Sequence, residues 1–158
     1  MKLIPLTQGF FAQVDDEDYE WLMAMGKWCY DKGYAARTLT LAFGKRKVIY
    51  MHRLIARTPD GLDTDHIDRS GLNNQRANLR HCTESQNQYN TSVPNNNTSG
   101  FKGVTWHRAR QKWQAQIQAN GEHIHLGLFK TAEAAAHAYD KAALRLHGNF
   151  ANINNKGE

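Results

Sequence analysis

The sequence has few cysteines and no long apolar run, and each absence excludes a class of protein. Among 158 residues only Cys29 and Cys82 are cysteines, and they form no Cys-x-x-Cys pair. Neither a disulfide framework nor a zinc-knuckle site is therefore indicated, and we expect both to be buried small apolar residues. Because no signal-peptide pattern or membrane-length segment is present, we expect a soluble, cytoplasmic protein without a membrane partner.

The composition favours a globular protein with a negatively charged partner. Hydrophobic residues make up 41% of the chain and the net charge is +5. The length suits one ordinary domain or two small ones. Residues 95–158 hold 8 Lys/Arg against 4 Asp/Glu, whereas residues 1–94 hold 12 against 11. A basic C-terminal third indicates a polyanion partner, although a solvated surface explains the charge equally well.

A polar segment divides the chain. Residues 90–99, "NTSVPNNNTS", have no hydrophobic period and the composition of a linker. We therefore predict an N-terminal region over 1–89, a linker over 90–99 and a C-terminal domain over 100–155.

The N-terminal region shows a helix and a hairpin. Acidic residues precede an apolar cluster, which predicts a short helix with acids at its positive end and with core residues Trp21, Leu22, Met25 and Trp28. Residues 34–41 and 46–52 alternate like strands around "AFGK" and predict a hairpin. Its tip carries Lys45, Arg46 and Lys47, which could bind a phosphate backbone or could simply be solvated.

The C-terminal domain has stronger signals. Residues 103–108, 113–119 and 123–129 alternate like strands, and Asn120-Gly121 is a strong hairpin turn. Residues 131–148 follow with helical periodicity; Thr131 can cap this helix and Gly148 can end it. The whole chain is therefore predicted to be α+β, ending in a three-stranded antiparallel sheet packed on one helix.

The predicted sheet has one apolar and one polar face. The apolar face would pack on the helix and comprises Trp113, Ala115, Ile117, Ala119, Ile124, Leu126 and Leu128. Amide, imidazole and hydroxyl groups of the open face can reach base edges, and basic residues can hold phosphates. The candidate DNA-binding residues of this face and its rim are Lys102, Thr105, His107, Arg108, Arg110, Gln114, Gln116, Gln118, His123 and His125.

This C-terminal third resembles the Apetala/ethylene-response-factor type of DNA-binding domain. The pieces "KGV", "KW", "LGLF", "TAEAAAHAYD" and "HG" occur in the family's order. The resemblance implies that the sheet enters the major groove of double-stranded DNA. Plant members carry mostly Arg and Trp at the contact positions, where this chain has Thr, Gln and His. We therefore expect a different target sequence and a weaker electrostatic grip.

The segment "TDHIDRSGLNNQRANLR" (64–80) holds a second candidate site. A neutral His66 could accept a proton from water if an acceptor held its other ring nitrogen. Asn78 could do so from the return strand of a hairpin, and Asp65 could bind a metal. The helix predicted to begin at Thr83 would bring Asn87 as a second ligand. A polar turn remains an alternative, and the other two asparagines, Asn73 and Asn74, are typical turn formers.

The same segment resembles the homing branch of the HNH endonucleases, whose core is a ββα-metal motif. The matching pieces are "HRLIA", "DHID", "NNQRANLR" and "TESQNQYN", over roughly 50–90. The resemblance implies that His66 is the catalytic base and Asn78 orients it, while Asp65 and Asn87 bind Mg²⁺ or Mn²⁺. It also implies 5′-phosphate products and a bacterial or phage-infected host. The parts of His52, His81, Asp63 and Asp68 stay open, with packing favoured for His52.

Together these patterns predict a sequence-directed DNA endonuclease with one divalent metal ion and a histidine base. It would act as a monomer or homodimer on double-stranded DNA, without an obligate protein partner. One alternative is a transcriptional regulator that binds DNA and uses the ββα unit only as a scaffold. Another is an RNA-binding or RNA-cleaving protein, which the scarcity of aromatic residues on the open sheet disfavours.

Overall fold

The computed structural model of the chain describes residues 1–94 and 96–155. The chain is α+β and divides into two compact units, Met1–Glu84 and Ser85–Glu158. In the part of the chain so described, no helix is long and apolar enough to cross a membrane.

The first unit is built from three small antiparallel sheets and two helices. Strands β1 and β2 pair with each other, β3, β4 and β5 form a three-stranded sheet in that order, and β6 pairs with β7. In chain order the elements are β1 (Lys2–Pro5), β2 (Phe11–Val14), α1 (Asp16–Ala24), β3 (Cys29–Asp31), β4 (Tyr34–Thr40), β5 (Arg46–Tyr50), α2 (Met51–Ala56), β6 (Asp63–His66) and β7 (Leu79–Cys82).

Helix α1 and the β4–β5 hairpin lie where the sequence predicts them. Three acids occupy the first turn of α1, where the helix dipole favours negative charge. Leu22 and Trp28 are buried in the core and Met25 packs against it. Trp21 differs from the prediction because it is 38% exposed. Its indole Nε1 donates to Asp18 Oδ1 over 2.9 Å, which places the ring at the edge of the core.

The predicted order of strand, loop, strand and helix is present around the Asp-His pair. After β6 and β7 comes α3 (Glu84–Tyr89), which begins at the division between the units. In the hairpin, Asp65 lies opposite Arg80 and His66 lies opposite Leu79. His66 is thus the last residue of β6, at the mouth of the loop.

The second unit contains the predicted sheet and helix. Strands β8 (Val104–His107), β9 (Lys112–Ala119) and β10 (Glu122–Phe129) are antiparallel with β9 in the centre, and α4 (Ala132–His147) packs on one face. The Thr131 hydroxyl accepts a hydrogen bond from the Ala134 N–H over 3.2 Å and caps α4. Gly148 follows with a φ of +54° and ends the helix.

A β-bulge in β10 corrects one assignment of the apolar face. The register shifts between His125 and Gly127, so that Leu128 pairs with Gln114 and Phe129 pairs with Trp113. Leu126 and Phe129 therefore pack on the core, whereas Leu128 lies on the face of Gln114. Simple alternation misses this change because an inserted residue inverts the face of each residue that follows it.

Tyr89, just before the segment predicted as a linker, and Thr91, near its start, pack onto the second unit. The Tyr89 ring stacks on His147 with centroids 3.7 Å apart. The Thr91 carbonyl accepts hydrogen bonds from Lys102 Nζ and Asn152 Nδ2 over 2.6 and 2.7 Å. The observed division after Glu84 therefore precedes the predicted linker.

The two cysteines lie in different environments. Cys82 is buried as expected, and burial raises the pKa of its thiol to about 11. Cys29 is exposed on β3, which corrects the expectation that both are buried.

Candidate functional site

The Asp-His pair is buried at the end of β6. Asp65 and His66 each expose only 5% of their surface. Strand pairing aims successive side chains at opposite faces of the hairpin, so the carboxylate and the imidazole have different neighbours. The pair is therefore part of a packed site and not a solvated turn.

The side-chain oxygen of Asn74 lies within hydrogen-bonding distance of a ring nitrogen of His66. His66 Nε2 lies 3.3 Å from Asn74 Oδ1, and Asn74 is fully buried. When Nε2 carries the ring hydrogen, it donates to this oxygen, and Nδ1 carries the lone pair that accepts a proton. The sequence suggests only a turn-forming role for Asn74, and the structure corrects that interpretation.

Asn78 holds the loop and not the imidazole. Its amide oxygen accepts from the Asp68 N–H over 2.9 Å, and its amide nitrogen donates to Asp68 Oδ1 and to the Asn73 carbonyl. The orienting contact predicted for Asn78 is thus made by Asn74. Asp68 also accepts from Asn73 Nδ2 and the Ser70 N–H, so this acid organises the loop.

The N-terminal elements fasten the loop in place. The Gln13 N–H donates to the Leu72 carbonyl and the Gln13 carbonyl accepts from the Asn74 N–H, each over 2.8 Å. These bonds continue β2 along the loop and fix the backbone of Asn74. Arg76 completes the attachment by pairing with the buried Asp18 on α1 over 2.6 Å.

Aromatic rings close the other side of His66. The ring centroid of His66 lies 5.0 Å from that of His52 and 5.8 Å from that of Tyr34. Tyr50 in turn stacks on His52 at 5.5 Å with an interplanar angle of 16°. Sequence spacing links neither Tyr34 nor Asn74 to His66. A signal for Tyr34 lies in Gly71, where a Cβ would lie 2.7 Å from the Tyr34 ring.

Burial keeps both histidines of this cluster neutral. It lowers the pKa of His66, although Asn74, Asp68 and Asp65 act in the opposite direction. The pKa of His52 is lowered to about 3, mainly by burial and to a smaller extent by His66 and Arg53. His52 Nδ1 is buried and has no hydrogen-bond partner among the described residues. A neutral imidazole at His66 is the form that can accept a proton.

Asp65 is paired with a guanidinium group. Arg80 donates to Asp65 Oδ2 from Nε over 2.7 Å and from Nη2 over 2.5 Å. The described residues include no group of three His, Cys, Asp or Glu side chains that could hold a metal. A site with one carboxylate still fits Mg²⁺, which commonly uses one or two carboxylates and completes its shell with water and substrate phosphate.

Three further candidates of this region lie on different elements. Asn87 lies on α3, in the second compact unit, and its pairing with Asp65 stays a prediction. His81 is exposed, and its Nε2 lies 2.8 Å from the Ala56 carbonyl oxygen. Asp63 pairs with Arg53 at 3.8 Å. These contacts give His81 and Asp63 structural partners within the first unit.

The open face of the second unit carries the predicted polar residues in cross-strand pairs. Thr105 lies opposite Gln114, Gln116 opposite His125 and Gln118 opposite His123. The rim residues Arg108 and Arg110 are exposed on the turn after β8, where the Arg110 N–H donates to His107 Nδ1. A grid of amides, imidazoles and one hydroxyl can donate to and accept from base edges.

The predicted phosphate contacts differ in whether their charged groups already bind within the protein. Lys102 Nζ donates to the carbonyls of Tyr89 and Thr91 over 2.7 and 2.6 Å, so its ammonium group holds this segment within the unit. That contact corrects its assignment to the open face. Lys45, Arg46 and Lys47 are all exposed at the β4–β5 hairpin.

Comparison with known proteins matches both units. Residues 99–149 match the AP2 domain family. Protein 3.8 of Escherichia phage T7 is 36% identical over 93 residues, which cover 59% of this chain and 76% of the phage protein. An uncharacterized HNH endonuclease of Acanthamoeba polyphaga mimivirus, L560, is 32% identical over 84% of this chain and 65% of its own length.

The plant relatives match a shorter part of the chain. APETALA2-like protein 2 of Oryza sativa is 43% identical over 61 residues, so the match spans 39% of this chain and 14% of the plant protein. The viral relatives extend the likeness beyond the AP2 domain. These likenesses support an HNH-type nuclease with a C-terminal AP2-type DNA-binding domain.

Proposed function

We propose that the protein is a metal-dependent DNA endonuclease that hydrolyses phosphodiester bonds with His66 as the general base. The observation that carries the proposal is the buried, neutral His66 beside Asp65, with Asn74 Oδ1 at 3.3 Å from Nε2. A base of this kind needs a depressed or near-neutral pKa and a fixed ring. The likeness to an HNH endonuclease and the match to the AP2 domain support DNA as the substrate.

In this mechanism His66 Nδ1 removes a proton from a water molecule that attacks the scissile phosphorus. Asn74 fixes the ring through Nε2, and Asn78 and Asp68 keep the loop that carries Asn74 in shape. Asp65 and Asn87 are the proposed ligands of one divalent ion, Mg²⁺ or Mn²⁺. Such an ion, when bound, neutralises the charge that develops on the phosphate and the leaving oxygen.

The test is cleavage of supercoiled plasmid DNA by the purified protein. We expect nicked or linear products with Mg²⁺ and none with excess chelator. His66→Ala and Asp65→Ala should abolish the products, while His81→Ala, at an exposed histidine of the same hairpin, should retain them. Cleavage by the His66→Ala protein at the wild-type rate would remove His66 from the mechanism.

A DNA-binding regulator without nuclease activity is the second candidate. The Asp65–Arg80 ion pair favours it, because a carboxylate that already faces a guanidinium attracts a cation less strongly. Binding of Mn²⁺ followed by electron paramagnetic resonance separates the two candidates. Saturable binding that Asp65→Asn removes supports the nuclease, and DNA binding without any Mn²⁺ binding supports the regulator.

A further inference from the structure

The tip of the β4–β5 hairpin exposes an aromatic side chain that packing does not explain. Phe43 is 102% exposed, the highest value among the large hydrophobic residues described. It lies in a closed turn, in which the Leu41 N–H donates to the Lys45 carbonyl over 2.7 Å. The ring therefore projects into solvent from a hydrogen-bonded support.

The backbone at Phe43 is also unfavourable for a bulky residue. Its φ is +60° and ψ +27°, and Gly44 follows with a φ of +72°. Left-handed turn positions of hairpins favour Gly, Asn or Asp, because a side chain crowds the following carbonyl. A large ring at such a position is an outlier that points to a function outside the folded chain.

The surroundings of Phe43 match a polyanion. Lys45, Arg46 and Lys47 follow it directly, and all three are exposed. From Asp31 to Asp60 the sequence has seven Lys or Arg and no intervening acidic residue. A basic ribbon with an apolar tip fits duplex DNA, because cations hold the phosphates while an apolar side chain can enter between base pairs.

The hairpin also connects directly to the candidate nuclease site. Strand β5 ends at Tyr50, whose ring stacks on His52, and His52 contacts the His66 ring. A strand of five residues spans roughly 16 Å at about 3.3 Å per residue. Since DNA rises about 3.4 Å per base pair, a duplex that ran along this strand would meet the tip about five base pairs from a phosphate placed at His66.

We propose that Phe43 is a wedge that inserts between adjacent base pairs of double-stranded DNA and unstacks them, while Lys45, Arg46 and Lys47 hold the flanking phosphates. The proposal rests on the proposed function for its partner, DNA, but not on catalysis. A local kink at this place would hold the duplex in one register over the site. It would also favour easily unstacked steps, which adds sequence preference without hydrogen bonds to bases.

The test is DNA unwinding by the full-length protein in chelator, where no cleavage can occur. Relaxed plasmid is incubated with the protein and a metal-independent topoisomerase, and the topoisomers are separated after the protein is removed. An inserted wedge unwinds the duplex, so the wild-type protein should shift the distribution. At equal occupancy, checked by gel shift, Phe43→Ala should lose the shift and bind on the order of tenfold more weakly.

Two variants control this experiment. Val48→Ala removes a half-exposed apolar side chain of the same hairpin and should unwind DNA like the wild type. Phe43→Trp keeps an aromatic wedge and should restore unwinding. Unwinding by Phe43→Ala at the wild-type level would overturn the proposal, as would wild-type protein that binds plasmid without unwinding it or fails to bind it.

Three further outcomes separate the wedge proposal from self-association and from the nuclease proposal. If Phe43→Ala abolishes a self-association that the wild type shows by sedimentation without DNA, the tip is a protein contact and the proposal fails. If the wild type unwinds DNA in chelator but never cleaves it with Mg²⁺, the nuclease proposal fails and the wedge stands. Cleavage without unwinding gives the reverse result.

Discussion

At the scale of single residues, two asparagines have different roles in the site. Asn74 is buried on the His66 ring, whereas Asn78 makes three hydrogen bonds that hold the loop. A positioning residue and a loop-holding residue should respond differently to substitution. Activity and stability therefore need to be measured for both.

We expect Asn74→Ala to lower kcat on the order of tenfold to a hundredfold with little effect on KM, because the ring loses its acceptor. Asn74→Asp keeps an oxygen at this place and should retain more activity. Its negative charge would raise the pKa of His66, so the acidic limb of the pH–rate profile should move to higher pH. An unchanged kcat in Asn74→Ala would contradict the positioning role.

Asn78→Ala should instead destabilise the fold by about 2 kcal/mol, because buried loop groups lose their partners. Denaturant unfolding measures this change, and the protein that remains folded should keep near-normal kcat. A large loss of kcat without a loss of stability would return the orienting role to Asn78.

His52 predicts a pH dependence of stability. Its pKa is about 3 in the folded protein against an ordinary value of 6.5. Below pH 6.5 the unfolded chain therefore binds a proton at His52 that the folded chain does not bind. The contribution of neutral His52 to the free energy of unfolding is complete above pH 6.5 and is lost as the pH falls toward 3. Relative to His52→Phe, the wild type should lose about 2 to 3 kcal/mol between pH 7.5 and 4.5. If the free energies of unfolding of the two proteins changed in parallel with pH, the lowered pKa of His52 would be contradicted.

Residue roles follow from the sequence only where the spacing is regular. The Asp-His pair and the return strand are predicted because hairpin pairing places them together. The contact of Asn74 with His66 depends on the path of the loop along β2, which is set by Gln13, a residue far away in sequence. Tyr34 approaches His66 for a similar reason, since Gly71 leaves room for it. No local sequence pattern predicts such contacts between residues far apart in the chain.

At the scale of elements, the close packing of α4 on the sheet depends on Gly103. Its φ is +72°, and a Cβ there would lie 2.1 Å from the Tyr139 ring and 2.6 Å from the Gln116 carbonyl oxygen. Tyr139 is buried in the core between helix and sheet. Any side chain at this position would therefore separate β8 from α4.

We expect Gly103→Ala to destabilise the second unit by about 3 kcal/mol or more, from overpacking and backbone strain together. Gly121→Ala is the matched control, because its φ is +82° and nothing lies within 4 Å of its Cβ. It should cost only about 1 kcal/mol. Thermal unfolding followed by circular dichroism measures both, and equal losses would show that the contact with Tyr139 does not matter.

Elements with strong local signals are predicted well. The Thr131 cap, the Asn120-Gly121 turn and the alternation in β9 locate the strands and the helix of the second unit nearly to the residue. The bulge in β10 is missed because its cause lies in pairing with β9 and not in β10 itself. The packing of residues 89–91 on this unit is missed because the hydrogen bonds of Lys102 are not visible in composition.

At the scale of the whole molecule, charge and polar chemistry suggest separate contributions to DNA binding. We expect basic residues to contribute a salt-dependent affinity that ignores sequence, and the amides and imidazoles of the open face to contribute sequence preference. Residues 95–158 hold 8 Lys/Arg against 4 Asp/Glu. The exposed Arg108 and Arg110 lie at the rim, and Gln116 lies in the centre of the sheet opposite His125.

We therefore expect Arg110→Ala and Gln116→Ala to weaken DNA binding in different ways. Arg110→Ala should reduce the slope of log K against log salt by about 1, because one phosphate contact is lost, and should leave the preferred sequence unchanged. Gln116→Ala should keep the slope and relax the preference at one or two base pairs, because a base-edge contact is lost. Salt titrations and selection from a random duplex library, both in chelator, measure these quantities. If Gln116→Ala lowers the salt slope and leaves the selected sequence intact, the open face does not read bases, and the sequence preference must come from elsewhere in the chain.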